Sequence, residues 1–144
     1  IELIPFTDFK EIQDYIEKKE NIKLKLKNKY LTFSKKEGHS PHYDTGDKNH
    51  QLWCRYSAST LLSKNYDGGD FVFVDENDNE LRTISKDEHY MKTLIFDINN
   101  KHMVKPHSNG DRIVNLYFWE SRKNIELPEP VKNYIEQNKQ KINI

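Results

Sequence analysis

Ile22, Leu24 and Leu26 alternate with Lys23, Lys25 and Lys27 along about residues 22 to 33. That two-residue period is the signature of a strand with one face buried and the other in water. Short β-like runs then recur at Leu52 to Ser63, Phe71 to Val74, Leu81 to Ile84, Thr93 to Ile98 and Arg112 to Trp119. Turn chemistry separates them, at Asp67-Gly68-Gly69, Glu76-Asn77-Asp78-Asn79 and Ser108-Asn109-Gly110. So many short strands must satisfy one another's edges, which predicts a mainly β jelly roll or barrel. Helical spacing is confined to the two ends. Thr7 is placed to cap a bracing helix over about residues 8 to 19, where Phe9, Ile12 and Ile16 share a face. After Pro128 and Pro130, Val131, Tyr134 and Ile135 predict an amphipathic helix over about residues 129 to 140. The expected organisation is one domain over residues 1 to 144, with a β core over about residues 22 to 120 between those helices.

Charge narrows the partners. Lys plus Arg and Asp plus Glu both total 23, so no global field draws the chain to nucleic acid or to an anionic membrane surface. No apolar run approaches the roughly 20 residues that cross a bilayer, so a soluble protein is expected. The lone cysteine, Cys54, has no internal disulfide partner and sits in a β-like run, where it reads as a small buried hydrophobe. A reducing, cytoplasmic setting is the expectation. The chain starts at Ile1 rather than at methionine, which leaves room for a piece upstream.

The chemistry-bearing residues are His42-Tyr43-Asp44 and, sixty positions on, His102-Met103-Val104-Lys105-Pro106 running into Gly110-Asp111-Arg112. On an extended chain, His-x-Asp sends both side chains to one face and Tyr43 to the other. A neighbouring strand must then bring His102. Two imidazoles and one carboxylate suit Fe(II) with half of its octahedron open, and zinc is the chemical competitor. A His-x-Asp pair by itself means little, since six His and eleven Asp in 144 residues produce about half of one by chance. The Val, Pro, Gly and Arg at their intervals after His102 carry the pattern. Arg112 is placed to grip the far carboxylate of an organic acid, for which a zinc hydrolase has no need. Arg55 has two readings, an ion pair or a cosubstrate contact. His39, His50, His89 and His107 read as loop residues, and Asp47 lacks a histidine two places before it.

At these positions the chain resembles the 2-oxoglutarate and Fe(II)-dependent oxygenase superfamily, in its prolyl 4-hydroxylase-like branch and bacterial PKHD-type relatives. The similarity covers about residues 30 to 120. Ser57 to Ser63 followed by Tyr66-Asp67-Gly68-Gly69-Asp70-Phe71 looks like the family's strand and Asp-Gly-Gly turn; His102-x-Val104-x-Pro106 with Gly110-x-Arg112 looks like its distal-histidine segment. Trp119 fits the aromatic end of the next strand, one residue late, which predicts a bulge near Asn115. His107 stands where the family often has Val. The resemblance implies a double-stranded β-helix, iron on His42, Asp44 and His102, and the C5 carboxylate of 2-oxoglutarate on Arg112. It further implies a dioxygenase that consumes O2, with ascorbate as a further cofactor, hydroxylates an unactivated C–H bond and releases succinate and CO2. By analogy the substrate is a peptidyl proline or a related amino-acid residue. The substrate pocket is expected from the segment before His42, the loop Thr45 to Gln51 and residues 85 to 92, read as polar and mobile. An exposed edge strand offers a route to a dimer. The competing readings are a jelly-roll binding module and a zinc-bound cupin-type enzyme.

Overall fold

The computed structural model describes residues 1–46 and 52–142. In chain order the elements are β1 (Glu2–Ile4), α1 (Phe9–Glu20), β2 (Leu24–Phe33), β3 (His39–His42), β4 (Cys54–Leu61), β5 (Asp67–Gly68), β6 (Phe71–Val74), β7 (Glu80–Ile84), α2 (Lys86–His89), β8 (Thr93–Asp97), β9 (Lys101–Val104), β10 (His107–Ser108), β11 (Ile113–Ser121) and α3 (Glu129–Ile142). The larger sheet runs β1-β8-β4-β11-β2, the smaller β3-β9-β6-β7, and β5 pairs with β10. Every strand pair is antiparallel.

The two sheets meet face to face. Phe71, Phe73 and Val104 from the smaller sheet pack with Leu94 and Phe96 from the larger one in a single apolar cluster. Alternation sorts each strand's side chains between this interior and the outer layer. On β4, Ala58 turns outward and joins Ile12 and Ile16 of α1 with Tyr117 and Trp119 of β11, while Ser57 turns inward. Trp119 is fully buried and its indole N–H donates to Gln13 on the helix, so α1 braces the outer face as expected. Its cap is Asp8 rather than Thr7: the Asp8 carboxylate accepts from the Lys10 and Glu11 backbone N–H groups. A carboxylate one residue further on meets the first orphan donors with the favourable end of the helix dipole.

The bulge foreseen near Asn115 lies at Trp119, where the register of β11 shifts against both β2 and β4. The lysine-striped run forms the edge strand β2, whose distal half exposes Tyr30, Leu31 and Phe33. Residues 85 to 92, read from sequence as a polar, mobile part of the substrate pocket, contain a short helix, α2, capped by Ser85. At the other end, α3 covers Tyr43 with Val131 and Ile135, which turns that ring away from the interior. Asp47, His50 and the rest of the 47–51 segment lie outside the described residues. Among the described residues no helix is long and apolar enough to cross a membrane.

Candidate metal centre

Strands β3 and β9 pair so that His42 stands directly opposite His102. Their rings lie 4.4 Å apart between centroids, and Asp44, two residues beyond His42, reaches both. Asp44 Oδ1 is 3.4 Å from His42 Nε2 and 3.2 Å from His102 Nε2. One donor atom from each of the three residues lies within 4.8 Å of the other two. Two donors each about 2.1 Å from a shared cation and at right angles sit about 3 Å apart, so these separations suit one face of a coordination octahedron.

The backbone sets the tautomers. His42 Nδ1 lies 2.7 Å from the Ser40 carbonyl oxygen, and His102 Nδ1 lies 2.9 Å from that of Asn100. A carbonyl only accepts, so each Nδ1 carries the proton and each Nε2 directs its lone pair at the Asp44 carboxylate. Three acceptors converging in that way repel one another unless a proton or a cation lies between them, and that donor set fits a divalent metal. Burial alone would raise the Asp44 pKa, but where protons rather than a cation occupy the two Nε2 positions, the charge on His102 and hydrogen bonds from both imidazoles outweigh it and hold the carboxyl well below the usual carboxylate range. Asp44 is therefore ionised at neutral pH.

The surroundings fix each group. Phe71 stacks on the His102 ring at 5.2 Å and 12°, and Phe96 meets it edge-on at 4.7 Å. Ser57 donates its hydroxyl proton to Asp44 Oδ2 at 2.6 Å, which leaves Oδ1 for the histidines. Pairing across sequence placed Ser57 there; nothing in the linear sequence sets it apart from Ser59 and Thr60 on the same strand. Replacing Ser57 by alanine is expected to weaken metal affinity by about 10- to 100-fold with little change in melting temperature. Anaerobic Fe(II) titration alongside thermal unfolding checks both halves. His42 keeps 25% of its side-chain surface, against 5% for His102, so the cluster is reached from the His42 side.

Arg112, just before β11, is buried, with 3% of its surface exposed. Its Nη1 donates to the Ser34 hydroxyl at 2.7 Å, and its Nε finds no partner. The Tyr66 hydroxyl beside it is also buried and, among the described residues, closes no hydrogen bond of good geometry, though it lies near enough to the guanidinium to favour its charge. Burial pulls the guanidinium's pKa down, while Tyr66 and Asp70 favour its charge. The Arg55 guanidinium donates to the backbone carbonyls of Leu52, Cys54 and Ile125.

Two histidines read as loop residues are buried instead. His107 belongs to β10, and His89 ends α2 with its Nε2 2.7 Å from the Ser59 carbonyl oxygen. Burial, reinforced by the Arg112 charge and opposed by the Ser59 hydrogen bond, lowers the His89 pKa from 6.5 to about 4. Between those values the unfolded chain binds the proton and the folded one does not, so stability falls as pH drops through that window. Lowering pH from 7 to 4.5 is expected to remove roughly 2 to 3 kcal/mol through this residue. Denaturant unfolding at both pH values, on the native chain and on His89→Gln, isolates that share as the difference in pH sensitivity.

No protein-family model matches the sequence, and no curated protein matches it. Solved structures match in three dimensions. A 2OG-Fe(II) oxygenase family oxidoreductase from Burkholderia pseudomallei superposes with a TM-score of 0.57 at 16% identity, over 69% of this chain and 46% of that one. A Pseudomonas putida prolyl-4-hydroxylase gives 0.58 at 14% identity, over 79% and 61%. The viral collagen prolyl hydroxylase of Paramecium Bursaria Chlorella virus-1, in its 2OG complex, gives 0.58 at 14% identity, over 79% and 70%. The chain thus spans about half to two thirds of the length of the first two. At such identities the likeness is one of fold: this chain has the double-stranded β-helix of the 2OG-Fe(II) oxygenases and prolyl 4-hydroxylases, the superfamily its motifs resemble. Within that fold it carries a cluster of two histidines and one carboxylate.

Proposed function

We propose that residues 1 to 144 form a 2-oxoglutarate- and Fe(II)-dependent dioxygenase domain that hydroxylates an unactivated C–H bond of a peptide or amino-acid substrate, a peptidyl proline first among them. The convergence of His42, Asp44 and His102, each oriented by its own hydrogen bond, carries the reading. His42, Asp44 and His102 would hold the ferrous ion, and the bound metal with 2-oxoglutarate and O2 supplies the oxidation, releasing succinate and CO2. The protein's share is positioning and exclusion of water. Ser57 keeps Asp44 turned to offer one oxygen, the Phe71 and Phe96 rings keep His102 dry and immobile, and the carbonyls of Ser40 and Asn100 hold the imidazoles in the ligating tautomer.

Arg112 is the group that would take the C5 carboxylate. A buried guanidinium with an unused N–H, hydrogen-bonded to a neutral hydroxyl, is short of an anion. A zinc hydrolase has no use for that second anion site. The prolyl hydroxylases among the structural neighbours favour peptide substrates. Adding Fe(II) and then 2-oxoglutarate without oxygen should produce the weak visible charge-transfer band of a chelated 2-oxo acid. Admitting O2 with a peptide pool should then yield succinate and a product heavier by one oxygen. Absence of both the band and oxygen uptake would refute the assignment.

A further inference from the structure

Among the described residues, Arg112 Nε, Tyr66 Oη and His107 Nδ1 are buried and close no hydrogen bond of good geometry, although Tyr66 and Arg112 lie near enough to stabilise each other's charged forms, and the three side chains meet at one point. Gly69 marks the point. A Cβ there would lie 2.9 Å from Tyr66 Cε2, 3.2 Å from His107 Cβ and 3.3 Å from Arg112 Cδ. Gly69 has φ +74, so a glycine both turns the chain and lets the three side chains close in on its backbone. The His107 ring meets the Tyr66 ring edge-on at 5.6 Å, and its backbone N–H is tied to the Lys36 carbonyl, which anchors β10 in place. His107 is 6% exposed.

We propose that His107 is a contact and specificity residue of the anion pocket it forms with Tyr66 and Arg112, donating from Nδ1 to the remote carboxylate of the 2-oxo diacid. The assignment rests on the dioxygenase reading, and it adds a residue that the ligand motif does not contain. Orphaned buried polar atoms are rare because each forfeits its hydrogen bonds to water, and three on side chains that meet at one glycine call for a shared acceptor. A carboxylate is that acceptor: two oxygens take N–H and O–H donors together and neutralise the guanidinium. Burial, with the Arg112 and Lys36 charges and against Asp111, keeps the His107 pKa below its ordinary value, so the ring arrives as a neutral donor that adds no second buried charge.

The test is selectivity. The Mn(II)-loaded protein is titrated anaerobically with 2-oxoglutarate and with 2-oxobutanoate, which chelates the metal but lacks the far carboxylate, in the native chain, His107→Val and His107→Gln. His107→Val should lose about 10- to 100-fold in affinity for 2-oxoglutarate and at most about twofold for 2-oxobutanoate. His107→Gln, whose amide donates from a similar reach, should recover most of the difference. Equal losses for both acids, or none, would overturn the assignment while leaving the dioxygenase reading intact. A native protein that takes up Mn(II) but neither acid would sink both. Should His107→Val fail to fold, His107→Ser supplies the same comparison.

Discussion

Replacing His102 by alanine is expected to lower Fe(II) affinity by about a thousandfold or more and to reduce succinate formation below detection. The size follows from the geometry. Among the described residues three donors are brought together, and His102 is the one packed between two rings, Phe71 and Phe96. What remains is a pair two residues apart, His42 and Asp44, near the edge of the smaller sheet. The metal-free variant also loses a buried ring, which leaves a gap costing about 1 to 3 kcal/mol. Thermal unfolding with and without metal separates the effects. The native protein should gain melting temperature on adding Fe(II) or Mn(II) in proportion to occupancy, and the variant should gain none. A variant that still shows the gain would mean that the metal binds elsewhere.

Arg112→Met is expected to divide function from stability in opposite directions. Affinity for 2-oxoglutarate should fall by about 100-fold or more, because the far carboxylate loses a buried charge-assisted partner. In the absence of cosubstrate the variant should be as stable as the native protein or more so. The guanidinium is buried against a neutral hydroxyl with one N–H unbonded, and an apolar side chain of similar length fills its place without that desolvation penalty. Calorimetric titration gives the first quantity and denaturant midpoints the second. A variant that binds 2-oxoglutarate as tightly as the native chain would remove Arg112 from the site, and one destabilised by several kcal/mol would mark it as a structural ion rather than a reserved one.

The β runs and both end helices were legible because their signals are local. Phe71–Val74 is a strand in both readings, and Leu81–Ile84 gains only Glu80 at its start. Thr93 to Ile98 and Arg112 to Trp119 shift by one or two residues at their ends. The misses are local as well. Thr7 and Asp8 are both competent caps, and the choice depends on where α1 meets the sheet. His89 and His107 looked like loop residues because polar neighbours surround them in sequence, whereas in space Phe71 and Ser59 flank one and Tyr66 the other. The strand β9 that carries His102 has only four residues, too short for its period to register.

Side-chain chemistry and spacing were enough to single out His42, Asp44, His102 and Arg112 and to call for a closed β architecture, because strand period and ligand type belong to neighbouring residues. Antiparallel pairing and sheet stacking supplied the rest. They set His42 opposite His102, put Ser57 behind Asp44, and drew Tyr66, His107 and Arg112 around the space above Gly69. Those contacts join segments 13 to 60 positions apart, and a single-residue slip in register would turn each inward side chain to the opposite face.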